Sequence, residues 1–235
     1  MYPTPDEAAV LKNIEAFMVK TMARYDPSHD ALHVQRVRGT ALKLASNPSI
    51  SSLSPDLLVI ELSALLHDVL DKKYVPESLS SDPLAFFHPL FQELDDQHPS
   101  VGLLAEDGRR ARLIADIVTN VSWTTEKKLR QEGKWGAWHE SCLELHCVQD
   151  ADRLDAIGAF GIMRCSAYTA VTSNPLHVPN GDPLQASSAI QHFYDKLLHI
   201  KDHLKTEPGK RMGQKRHEIM LQFLKAVEDE YEGEQ

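Results

Sequence analysis

LSALLHDVLDKK, residues 62–73, closes a segment that opens with Ser54-Pro55-Asp56 and runs apolar from Leu57 to Val69. Ser-Pro-Asp joins a capping side chain to a proline suited to the first helical turn, and the run behind it predicts a helix buried on most sides. At its carboxyl end stand an imidazole and a carboxylate side by side, His67 and Asp68. Burying such groups is costly unless something binds both, and a divalent metal suits them. Two other segments supply partners: DALHVQRV (30–37) brings His33, and VQDADRLDAIGAFG (148–161) brings Asp152. Two imidazoles and two carboxylates suit Mn, Mg, Fe, Zn and related ions, and on a six-coordinate ion they leave positions for water and phosphate oxygens. Any one of the four, taken alone, is better explained as a capped, exposed or hydrogen-bonded structural group. Four in this order, each inside its own longer motif, reverse that reading.

The composition fits a globular enzyme of modest size. The chain has 235 residues, 42% of them hydrophobic, enough to bury a core and read here as one domain. No apolar stretch approaches the length of a membrane span, and MYPTPDEAAV lacks the basic and apolar regions of a secretory signal. A soluble, cytoplasmic protein with no membrane partner is expected. Three cysteines, Cys142, Cys147 and Cys165, are odd in number and lack CxxC spacing, which speaks against a disulfide framework or a zinc ribbon. A formal charge of −9 disfavours a long phosphate-tracking surface, so no polynucleotide is expected as a partner.

Elsewhere the pattern predicts helices joined by loops. Thr4-Pro5-Asp6-Glu7 announces a helix through Met18 or beyond. Asp30 caps a second, with Leu32, Val37, Ala41 and Leu44 on its apolar side. Residues 74–98, interrupted by prolines and serines, read as an irregular lid-like loop holding one or two short helices. Helical patterns follow over 100–121, about 143–170, 189–204 and 212–231, with loops near 124–136 and 174–188. No strand or repeat is evident, and the economical reading is a single all-α domain.

The motifs DxxHxxRV, ALLHDVxDxK and QDADRLDAIGAxG resemble the HD-domain superfamily of metal-dependent phosphohydrolases. They are most similar to its small bacterial and fungal members related to YedJ and YpgQ. SSAIQHFYDKLLHIKDHLKT (187–206) continues the likeness, which spans nearly the whole chain apart from the loops. The resemblance implies an all-α HD-domain helical bundle with His33, His67, Asp68 and Asp152 as metal ligands. Asp30, Arg36, Asp71, Lys73, Arg153 and Asp155 match positions lining or bracing the site. It also implies hydrolysis of a small phosphorylated molecule, a nucleotide and most of all a nucleoside triphosphate. Two departures stand out: Ala31 replaces a common aromatic residue, and Asn120 replaces a frequent histidine.

Asp71 lies four residues after His67 and shares its side if the helix continues that far. By the resemblance to alarmone hydrolases, which carry an acid at the matching position, it is the candidate general base. Arg36 and Lys73 are the candidate phosphate-binding cations, with Lys72 and Arg164 weaker ones. Asp30, Arg153 and Asp155 are expected behind the ligands, whereas Asp150 points elsewhere on its helix. His217 is a candidate for closing the site, and His199 with His203 has a metal-compatible spacing but no third partner. Two other functions fit the same set: an HD-fold di-iron oxygenase, which needs further ligands, and a catalytically silent nucleotide-binding sensor.

Overall fold

The structure, a computed structural model, describes residues 2–233 apart from 24, 27–29 and 72–74. Those residues build an all-α architecture with no strand among them. They group into two compact units, 2–25 with 30–149, and 26 with 150–233.

The first unit is assembled around one apolar helix. In order it contains α1 (Pro5–Met22), α2 (Ala31–Ala45), α3 (Pro48–Ser51), α4 (Leu57–Leu66), α5 (Glu77–Ser80), α6 (Pro83–Gln97), α7 (Ala105–Asn120), α8 (Trp123–Gln131), α9 (Ala137–Ser141) and the start of α10 (Leu143–Asp155). Thr4 and Glu7 cap each other's backbone at the head of α1, and Asp56 accepts the Leu58 and Val59 amides to start α4. Every residue of α4 from Leu58 to Leu66 is buried, packed against α1, α2 and α7, while α6 packs on α7. Each fully buried Leu or Ile there contributes roughly 1.5–3 kcal/mol. The second unit holds the last turns of α10, then α11 (Gly158–Val171), α12 (Ala189–Asp195) and α13 (Glu207–Glu232), with 3-10 turns at Gln185–Ser187 and Leu197–His203. Its α13 packs against α11 and the second 3-10 segment.

Several boundaries differ from the sequence expectation. The stretch read as an irregular lid holds the fifteen-residue α6: Asp82 accepts the Ala85 amide, Pro83 takes the first turn, and Phe87, Phe91 and Leu94 turn inward one helical period apart. Pro89 inside it is exposed, so the carbonyl it leaves without a helical donor faces water. Residues 124–131, expected as loop, belong to a helix that starts at Trp123 behind a Ser122 cap. The 100–121 helix starts late, because Glu106, Asp107 and Gly108 hold positive φ and regular helix begins only after them. The long 143–170 helix breaks at Gly158, whose φ of +74° is open to glycine and strained for other residues. The 189–204 helix tightens to 3-10 from Leu197, and α13 begins earlier than expected, at Glu207, under a Thr206 cap.

Cys142, Cys147 and Cys165 are buried and form no disulfide. Among the described residues no helix is long and apolar enough to cross a membrane.

A buried ion cluster sets how α1, α2 and α4 meet. Glu61, 3% exposed within the apolar α4, takes Arg38 Nε at 2.7 Å and Nη2 at 2.5 Å, and the Tyr2 hydroxyl donates to its other oxygen. Arg38 Nη1 reaches Glu15 of α1 at 2.9 Å. Removing the guanidinium strands a desolvated carboxylate, so Arg38→Ala is expected to cost about 3–5 kcal/mol. Urea unfolding checks this; a loss below about 1 kcal/mol, the range of an exposed pair, would contradict it.

Candidate metal centre

Asp30 starts α2 by accepting the His33 amide on Oδ1 at 2.8 Å, so the cap that begins the helix also fixes the backbone of the first imidazole. His33 is wholly buried. His67 is the residue that ends α4, and its Nδ1 lies 2.7 Å from the Ala64 carbonyl. A carbonyl only accepts, so Nδ1 carries the proton and Nε2 of the neutral ring presents a lone pair.

Both Nε2 atoms face one carboxylate oxygen. Asp68 Oδ2 is 3.3 Å from His33 Nε2 and 3.4 Å from His67 Nε2, and the rings meet edge to face with centroids 5.3 Å apart. Lone pairs aimed at a carboxylate oxygen repel unless positive charge lies among them. Ligands about 2.0–2.2 Å from a shared ion, at tetrahedral or octahedral angles, stand roughly 3.0–3.4 Å from each other. The observed separations fit. Burial alone would raise the Asp68 carboxyl, and positive charge on the His67 and His33 side, carried by the rings when they are protonated, brings it well below the usual carboxylate range. The imidazoles are sealed, while the Asp68 side chain is 19% exposed and marks the side open to solvent.

The antiparallel register of α2 and α4 is pinned twice. His33 lies opposite His67 and Asp68, and Arg38 lies opposite Glu61 about one and a half turns away. Arg36 is half-buried one turn after His33. Beyond Leu66 the chain leaves regular helix: the Val69 amide bonds to Leu66 O at 3.1 Å and the Asp71 amide to Asp68 O at 3.1 Å, both three-residue steps. The helix expected to reach Val69 therefore stops sooner, and helical spacing does not carry Asp71 onto the His67 side. Asp71 is half-buried at the end of this turn. Lys72 and Lys73 lie outside the described residues.

The other expected site residues belong to the second unit. Asp152 is half-buried in the last turn of α10. Arg153 is buried and donates through Nη1 to the His203 carbonyl at 2.7 Å, and Asp155 pairs with Arg164 at 3.3 Å. Arg164, a weaker candidate cation for phosphate, thus spends charge on a buried carboxylate. Asp150, set aside as pointing elsewhere, is fully buried and holds the loop before α13. His199 and His203 sit on a 3-10 segment, where three residues make a turn and a four-residue spacing does not align two rings. The His217 ring is pushed to a lower pKa by burial and by Lys201.

Sequence reasoning missed Arg38 and Glu61. The available signal was the acid inside LLVIELSALL, since a carboxylate on the buried face of an apolar helix requires a partner.

Comparison with known proteins places the chain among proteins of similar length. YpgQ of Bacillus subtilis (strain 168) is 30% identical over 222 residues, 94% of either chain. The crystal structure of B. subtilis YpgQ in complex with ADP matches with a TM-score of 0.66 at 24% identity, covering 96% of each chain. Lin1889 of Listeria innocua gives a TM-score of 0.69 at 27% identity over 97% of this chain and 99% of its own. An HD-superfamily hydrolase from Bacillus thuringiensis gives 0.66 at 24% identity, over 97% of this chain and all of its own. No protein-family model matches the chain.

Proposed function

We propose that this chain, which belongs with the YpgQ-like proteins, is an HD-type metal-dependent phosphohydrolase acting on a small nucleotide. The observation that carries the reading is the convergence of two buried imidazole nitrogens on Asp68 Oδ2, with the His67 tautomer fixed by the Ala64 carbonyl. In it His33, His67, Asp68 and Asp152 hold one divalent ion, with Mn and Mg the leading identities. When bound, such an ion polarises a phosphate oxygen and makes water a better nucleophile near neutral pH.

The chain's own residues supply the rest of the proposed reaction. Asp30 fixes the His33 backbone and the Ala64 carbonyl orients the His67 ring, so the two residues are set in place before substrate arrives. Asp71 takes the proton from the attacking water. Arg36, a turn beyond His33, and Lys73 offset charge on the phosphate oxygens. Asn120 is committed elsewhere: its Nδ2 donates to Asp116 O at 2.8 Å and its Oδ1 is 3.2 Å from His139 Nε2. The position that is frequently histidine in relatives is thus tied to its own helix and to α9, which favours the four-ligand hydrolase over the di-iron oxygenase.

A nucleotide is favoured because YpgQ, the 30% identical relative, has been crystallised with ADP. The test is a steady-state panel of dNTPs, NTPs, nucleoside mono- and diphosphates, simple phosphomonoesters and single-stranded oligonucleotides with Mn or Mg. Turnover of triphosphates with little action on oligonucleotides is expected, as the net charge of −9 repels a long polyanion. Cleavage of the oligonucleotide and of no triphosphate would overturn the substrate assignment.

A further inference from the structure

The last turn of a helix lacks four internal hydrogen-bond donors for its carbonyls and frays readily, which is a poor mounting for a metal ligand. Asp152 rides on such a turn, the end of α10. Here the turn is bolted down. The buried Asp150 accepts three hydrogen bonds from the segment leading into α13: Lys205 N on Oδ1 at 2.8 Å, and Thr206 N and Oγ1 on Oδ2 at 2.8 and 2.7 Å. Thr206 Oγ1 in turn accepts the Gly209 amide at 3.0 Å, so one hydroxyl caps α13 and ties it to α10. Arg153, three residues on from Asp150 and next to it on the helix surface, grips the His203 carbonyl at 2.7 Å. Arg216 of α13 donates to the Leu154 carbonyl, which also accepts the Ile157 amide at 3.2 Å.

At about 100° per residue, Asp150 and Asp152 project from nearly opposite sides of α10. One side is clamped to residues 203–206, and the other is left to present Asp152. We infer that Asp150 is a positioning residue that fixes Asp152 through its bonds to Lys205 and Thr206. The inference rests on the reading of Asp152 as a metal ligand. Gly209 belongs to the same device, because a Cβ there would overlap Asp150 Oδ2 and press on Thr206 Oγ1.

The test is Mn affinity, measured by calorimetric titration of the whole protein well below its melting temperature, beside the melting temperature itself. Asp150→Asn puts an NH2 group against one of its present donors, and Gly209→Ala pushes the carboxylate aside without touching any ligand. Both are expected to weaken Mn binding 10–100-fold, the usual effect of losing a group that orients a ligand. Thr206→Ser, which keeps the hydroxyl, and Glu207→Gln, an exposed neighbour, should bind as the parent does. If Asp150→Asn does not fold, Gly209→Ala carries the same expectation. Asp152→Ala, run in parallel, separates the two readings. Unchanged affinity in Asp152→Ala would remove that residue from the ligand set. Lost affinity in Asp152→Ala, with Asp150→Asn and Gly209→Ala melting lower but binding Mn within twofold of the parent, would reduce the clamp to a stabilising contact and overturn the inference.

Discussion

Alanine at His33, His67, Asp68 or Asp152 is expected to abolish hydrolysis and strip the metal, because each change removes one of the four proposed protein ligands. His67→Ala deletes an Nε2 facing Asp68 together with the Nδ1 contact to Ala64 that orients it. Elemental analysis after dialysis reports occupancy, and turnover in excess Mn reports activity. Stability should follow the metal. A ligand present at a hundred times its Kd stabilises a folded protein by about 2.7 kcal/mol, so the variants should lose the rise in melting temperature that added Mn gives the parent. Full occupancy with parental turnover in any two of the four would sink the ligand set.

Asp71→Asn is expected to lower turnover by roughly 10²–10⁴-fold with metal retained, the range for losing a general acid or base. The substitution keeps shape and removes the proton acceptor, so affinity for Mn and melting temperature should stay at parental values. Loss of metal would make Asp71 a ligand instead, and unchanged turnover would return it to a surface carboxylate. Asp71 closes the tightened turn that follows His67 and Asp68, and its amide is held by the Asp68 carbonyl.

The helices were legible wherever a start signal and an apolar period agreed, as at Thr4-Pro5, Asp30 and the run from Leu57. The same cap-then-proline signal stood at Asp82-Pro83 and was obscured by Pro89, which breaks a helix in isolation but is tolerated on an exposed face. Breaks made by a single backbone conformation were harder to see. Gly158 ends one helix and begins another through a positive φ that its neighbours in sequence do not require. The Asp30 cap beneath His33 was readable because it is local, whereas the Arg38–Glu61 pair joins residues 23 apart in sequence. The Asp150 clamp spans 55 residues and more, so spacing on α10 showed only that Asp150 faces away from Asp152.

Hydrolysis at the His33, His67 and Asp68 cluster is tested most directly by turnover in H2 18O. The parent protein and its His67→Ala variant would be supplied with Mn or Mg and a nucleoside triphosphate, a second parent sample with the triphosphate and excess chelator in place of metal, and the phosphorus products followed by 31P NMR. The parent should place 18O in a released phosphate or pyrophosphate, or in the nucleotide left behind, with no dependence on dioxygen. The chelated sample and the variant should release nothing above background. Label-free products, oxygen-dependent consumption of substrate, or equal release by parent and variant would contradict metal-assisted attack of water at this site.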